Sequence, residues 1–78
     1  MYILVTYDVQ TDTLAGQRRL RKVARICMNY GQRVQNSVFE CVITEIQLAE
    51  LKHKLESAID SVNDSIRIYY LIQVSQVP

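Results

Sequence analysis

Two periods of hydrophobic spacing alternate along this chain. Residues 2–9 (Tyr-Ile-Leu-Val-Thr-Tyr-Asp-Val) form a nearly unbroken apolar run. Such a run predicts a central strand, covered on both faces or lying at an interface. Residues 10–16 are polar and turn-like, and Asp12 or Thr13 can cap a helix that begins there. Leu20, Val23, Ala24, Cys27 and Tyr30 then recur at helical spacing. They predict a helix over about 14–30, stopped by Gly31. Residues 33–36 and 37–43 read as two strands with a very short connection near Asn36. In the second of them Phe39, Cys41 and Ile43 share one face, and Val38, Glu40 and Val42 the other.

Thr44 and Gln47 form a capping box ahead of a second helix over about 45–60. Leu48, Leu51, Leu55 and Ile59 are its core stripe. Glu50 with Lys54, and Lys52 with Glu56, are spaced for ion pairs on its wet side, worth about 0.3–0.5 kcal/mol each. His53 lies among them as a solvated side chain. After a turn at 61–64, residues 65–71 predict a fourth strand with Ile66, Ile68 and Tyr70 on one face. Residues 72–77 alternate apolar and polar, the pattern of a short fifth strand or tail. The order βαββαβ predicts a ferredoxin-like α+β sandwich: a four-stranded antiparallel sheet with two helices on one face. Glycine and proline occur only at Gly16, Gly31 and Pro78, so residues 1–78 read as a single domain without a linker.

Length and composition narrow the setting. A chain of 78 residues buries only about 60–65% of its unfolded surface, so a second copy would add needed stability. No apolar run reaches the ~18 residues of a membrane span. The N-terminus lacks a basic region before its apolar run, so a signal peptide is not expected and a cytoplasmic location is. Cys27 and Cys41 fall on apolar phases outside any CxxC spacing and read as reduced, buried thiols. With His53 as the only other soft ligand, a zinc site is disfavoured.

The net charge of +1 hides a split. Residues 1–38 carry six basic groups and two acids, net +4, whereas residues 39–78 carry three basic groups and six acids, net −3. Such asymmetry points to an anionic partner for the first half. Arg18, Arg21, Lys22 and Arg25 follow i, i+3, i+4, i+7 spacing and line one helix face, with Arg19 nearer the buried stripe and Arg33 further on. No acid interrupts the interval between Asp12 and Glu40, whereas solvated helix faces normally mix signs. The face can track a phosphate backbone. The aromatic pattern of RNA-recognition modules is missing, which favours backbone contact over base reading. A metal carrier would need a CxxC or His/Cys cluster, and a ligand sensor would need glycine-rich loops.

Asp8 ends the first apolar run. A carboxylate there must be exposed at a cleft, paired, or bound to a cation. It can hold magnesium, which accepts one or two carboxylates together with waters and substrate phosphates. Metal-assisted phosphodiester hydrolysis by an activated water is then open to it. So is a plain cap or arginine pair. A two-fold axis near the strand end would bring two copies of Asp8 together.

Five fragments in order carry a resemblance over residues 1 to about 71: Tyr7-Asp8-Val9; Arg18-Arg19-Leu20-Arg21-Lys22-Val23-Ala24; Tyr30-Gly31; Arg33-Val34-Gln35-Asn36-Ser37-Val38-Phe39-Glu40; and Asp64-Ser65-Ile66-Arg67-Ile68-Tyr69. The chain resembles the small CRISPR-associated endonuclease family, the second of the two universal spacer-acquisition proteins. It is most like the variant of type I-C systems. The resemblance implies a homodimer with the two Asp8 side chains facing across the interface. It implies that Asp8 binds Mg2+ and supports cleavage of double-stranded DNA or single-stranded RNA. Arg18, Arg19, Arg21, Lys22, Arg25 and Arg33 are then nucleic-acid-binding candidates, and Tyr7, Ser37 and Phe39 secondary site candidates. The resemblance further implies a role without cleavage, in which the dimer bridges the CRISPR integrase and holds protospacer DNA. Family chains usually continue past the fourth strand with a segment that pairs with the partner subunit and docks the integrase. Here 72–77 is expected to supply at most a minimal version.

Overall fold

In a computed structural model, which describes residues 1–71, the order is β1 (Tyr2–Asp8), α1 (Leu14–Met28), β2 (Gln32–Gln35), β3 (Val38–Val42), α2 (Glu45–Ala58) and β4 (Ser65–Leu71). The expected fifth strand lies outside the described residues. All three pairings are antiparallel, and the sheet runs β2-β3-β1-β4. The ferredoxin-like arrangement read from the periodicity is therefore present, with β1 as a central strand.

The pleat of β1 decides what is buried. Ile3, Val5 and Tyr7 point into the core, where Ile3 and Val5 have no exposed surface. In register beside them stand Cys41 and Phe39 of β3, and Tyr70, Ile68 and Ile66 of β4. The helices close this layer with Val23 and Cys27 from α1 and Leu48, Leu51 and Leu55 from α2. Full burial of each large side chain contributes about 1.5–3 kcal/mol. The other face of the sheet carries Tyr2, Leu4, Thr6 and Asp8, flanked in register by Val42, Glu40 and Val38 on one side and by Leu71, Tyr69, Arg67 and Ser65 on the other. Val42 is 74% exposed and Tyr69 46%. The helical residues of the core join β1 only on its odd positions.

The termini of the elements reflect local chemistry. Of the two candidate caps, Thr13 serves α1, its Oγ1 accepting from Gly16 N at 3.0 Å. The helix ends two residues earlier than its apolar spacing predicts, because Asn29, Tyr30 and Gly31 turn their amides onto Ile26 and Cys27. The capping box of α2 forms as read: Gln47 N donates to Thr44 Oγ1 at 3.1 Å, and Thr44 N donates to Gln47 Oε1 at 2.9 Å. The two expected ion pairs of α2 do not form. Lys54 instead donates to Tyr30 Oη at 2.8 Å, and Lys52 lies 5.5 Å from the centre of the Tyr70 ring. The neighbouring elements offer both lysines aromatic partners, and pairs along an exposed helix are too weak to compete.

Gly31 is required by close approach. A Cβ there would lie 2.1 Å from the Glu40 carbonyl oxygen and 2.6 Å from Cys41 Sγ, so the α1–β2 connection and β3 would have to separate. Gly31→Ala is expected to destabilise the domain by about 1–3 kcal/mol. The check is a lower urea midpoint at unchanged slope; an unchanged midpoint would contradict the packing described.

Candidate functional site

Asp8 is the last residue of β1. It is exposed and on the open face of the sheet, opposite Ser65 of β4. Its placement results from alternation: with Ile3, Val5 and Tyr7 pinned inward, even-numbered positions must point outward. Arg67 faces Thr6 on the same side, one diagonal step from Asp8. Nothing in the sequence alone links Arg67 to Asp8, because the link exists only through the β1–β4 register.

The secondary candidates divide between the two faces. Tyr7 is 6% exposed and Phe39 fully buried, both on the helical side and so turned away from Asp8. Their rings stack at 6.1 Å between centroids and 25° between planes. Arg33 lies in register with Phe39 and places its guanidinium 5.2 Å from the ring centroid. The Tyr7 hydroxyl is held above its usual range, chiefly by burial, while Arg33 works in the opposite direction. A neutral, enclosed phenol is suited to packing rather than to proton transfer. Ser37 sits half-buried in the β2–β3 turn, and its carbonyl accepts from Tyr7 N at 3.2 Å. That bond ties the end of β1 to the turn.

The basic helix face is present as read. Arg18, Arg21, Lys22 and Arg25 are all exposed along α1, with no acid in its first turn. Arg19 departs from them. Its Nε donates to Asp64 Oδ2 at 2.8 Å, and its Nη2 to Asp64 Oδ1 at 3.4 Å. This is the one salt bridge among the described residues, and the Asp64 side chain has no exposed surface. Asp64 also accepts from Gln10 N at 3.0 Å and Asp60 N at 2.9 Å. The only sequence signal was the place of Arg19 at the boundary of the buried stripe. Asp64 looked like one more turn residue.

Asp8 brings one oxygen-donor group to the end of β1, a donor type that suits a hard cation rather than a soft one. Among the described residues there is no group of three or more His, Cys, Asp or Glu that could hold a metal. Asp8 is the one carboxylate at the end of β1, and a lone oxygen-donor group can hold magnesium only together with waters and substrate phosphates and does not suit zinc. Cys27 and Cys41 are free and buried, and burial pushes the Cys27 thiol up to about 12. They are inert thiols. No helix of the described residues is long and apolar enough to cross a membrane.

A sequence model described as "CRISPR associated protein Cas2" matches residues 1–76. The chain is 61% identical over 71 residues to "CRISPR-associated endoribonuclease Cas2 1" of Moorella thermoacetica, covering 91% of this chain and 74% of that protein. It is equally identical, with the same coverage, to "CRISPR-associated endonuclease Cas2" of Halalkalibacterium halodurans. Among solved structures it superposes on Streptococcus pyogenes Cas2 at pH 6.5 with a TM-score of 0.85 and 58% identity, over 91% of this chain and 86% of that one. It also superposes on a hypothetical protein from Thermus thermophilus, with a TM-score of 0.82, 34% identity, and coverage of 99% and 88%.

Arg19 above all holds the Asp64 carboxyl below its usual range, helped by the Asp60 and Gln10 amides and opposed by burial. A depressed folded value stabilises the fold above the unfolded pKa, and that stability is lost as pH falls through the folded one. Wild type should therefore lose stability progressively below about pH 4. Asp64→Asn should flatten that part of the profile, as read by urea unfolding across the acid range. Parallel profiles would remove Asp64 as the source.

Proposed function

The chain belongs to the CRISPR associated protein Cas2 family, and on that premise we propose that it is a homodimeric, magnesium-dependent endonuclease. Its substrates are double-stranded DNA or single-stranded RNA, and it is the DNA-holding partner of the CRISPR integrase in spacer acquisition, in the cytoplasm. The observation that carries this reading is the position of Asp8: exposed, at a strand end, on a sheet face that displays Leu4, Val38, Val42 and Tyr69. A face with that apolar content favours burial against a second copy. Two such faces stacked about a two-fold axis near the strand ends would set the two Asp8 carboxylates opposite each other. The relatives' names, endoribonuclease for one and endonuclease for the other, support phosphodiester cleavage as the chemistry.

Asp8 from each protomer would hold the ion. The chemistry a magnesium ion would supply there is neutralisation of charge on a phosphoryl oxygen and activation of a water. The exposed cations of α1, on the helical layer, hold backbone phosphates of the nucleic acid at positions away from Asp8, without reading bases. Arg67, on the Asp8 face, stands where it can neutralise a phosphate near the scissile bond. A second reading rests on the separation of these features. The basic face lies on the helical layer and Asp8 on the open face, so nucleic-acid holding does not need the carboxylate. In that reading the dimer is a scaffold that bridges the integrase and protospacer DNA without cutting.

Asp8→Asn should lower magnesium-dependent cleavage by about 100-fold or more, the scale on which lost charge stabilisation acts, while leaving binding intact. Cleavage that persists in that variant would refute the nuclease reading. The scaffold reading predicts that the same variant still supports spacer integration. Reversing charge at Arg18, Arg21 and Arg25 together should abolish DNA binding in a gel-shift assay. Each single neutralisation should make the log Kd against log salt slope shallower by about 0.9. Salt-insensitive binding would contradict both readings of α1.

A further inference from the structure

The register of β1 with β3 ends at Thr6, and that with β4 ends at Asp8. Beyond Asp8 the ladder no longer fixes the chain, yet the segment is firmly held. Val9 is buried. Gln10 N donates to Asp64 Oδ1 at 3.0 Å. On the other side of Gln10, α1 presses on its carbonyl: a Cβ at Gly16 would lie 1.9 Å from that oxygen. The Asp64 carboxylate is in turn gripped by Arg19 through Nε and Nη2 and by the Asp60 amide. Arg19 thus commits its Nε–Nη2 edge to Asp64, which holds the guanidinium against the fold and leaves only Nη1 and one N–H of Nη2 for any other acceptor.

We propose that Arg19 is a positioning residue and not a nucleic-acid contact. Through Asp64 it clamps the exit of β1 at Gln10 and so fixes the aim of Asp8, two residues earlier. The inference rests on the reading of Asp8 as the metal-holding residue, but its mechanical part, the clamp, stands apart from cleavage. The four other cations of α1 carry phosphate binding, and Arg19 carries geometry. A buried carboxylate stripped of its cation is a poor anchor, because it must take up a proton or water and reorient.

The test uses full-length Arg19→Met, which keeps the aliphatic stem, with Arg19→Lys as the conservative variant, both well below their melting temperatures. Three quantities are read: exchange of the Gln10 amide by NMR, the salt slope of DNA binding, and kcat against KM for magnesium-dependent cleavage. For Arg19→Met the expected result is Gln10 exchange at least about tenfold faster. With it should come a kcat about ten- to hundredfold lower, with KM and salt slope unchanged. Arg19→Lys should recover part of the protection and of kcat, and it decides alone if Arg19→Met does not fold. A salt slope shallower by about 0.9 would make Arg19 a phosphate contact and overturn the proposal. Unchanged Gln10 exchange would overturn it equally. If the wild type does not cleave, the nuclease reading fails, and the Gln10 exchange still decides whether the clamp exists.

Discussion

Strand β1 lies between two antiparallel neighbours, and its pleat leaves no freedom about where each side chain goes. Ile3, Val5 and Tyr7 are drawn into the helical layer with Phe39, Cys41 and Ile68. A slip of one residue would expose all of them at once, so the register is strongly fixed. That same constraint turns Tyr2, Leu4, Thr6 and Asp8 to the other side. The acid at the strand end is therefore not placed by any contact of its own. The hydrophobic burial of its neighbours sets the face on which it stands.

The polar side of the fold works differently, through one carboxylate. Asp64 draws together the exit of β1, the side of α1 and the turn before β4. Two of these segments, the exit of β1 and the side of α1, are distant in sequence from Asp64, and each segment gives it a part-buried donor. The consequence for α1 is a division of labour. Arg19 turns inward to Asp64, and Arg18, Arg21, Lys22 and Arg25 face solvent. The helix presents a cationic surface on one side and an anchor for the Asp8 strand on another. In the proposed function, binding a polyanion and holding a carboxylate in place are combined in one element.

Much of this was legible in the chain. Alternation in 37–43 and 65–71 assigns faces that the structure keeps, and the Thr44–Gln47 capping box forms atom for atom. Helical spacing puts Val23 and Cys27 inside, and the four exposed cations of α1 outside. What escaped the sequence was long-range. Asp64 is 45 residues from Arg19 and 54 from Gln10, and no local pattern joins them. Tyr7 and Phe39 belong to motif segments and invite a catalytic reading, yet parity alone sends them to the face opposite Asp8. The apparent double-sided burial of 2–9 resolves into one covered face and one open one, because Leu4 sits on the side without helices. The surface pairs of α2 failed because Tyr30 and Tyr70, brought in by the fold, compete for the lysines.

In the proposed function a two-fold axis near the strand ends doubles the one carboxylate that each chain places at the end of β1. The most direct measurement is the stoichiometry of Mn2+, standing in for Mg2+, titrated into the wild-type protein and followed by electron paramagnetic resonance. The expected result is one tightly held ion per two chains, lost in Asp8→Asn, in a species that sediments as a dimer. One ion per single chain, or binding that survives Asp8→Asn, would contradict it.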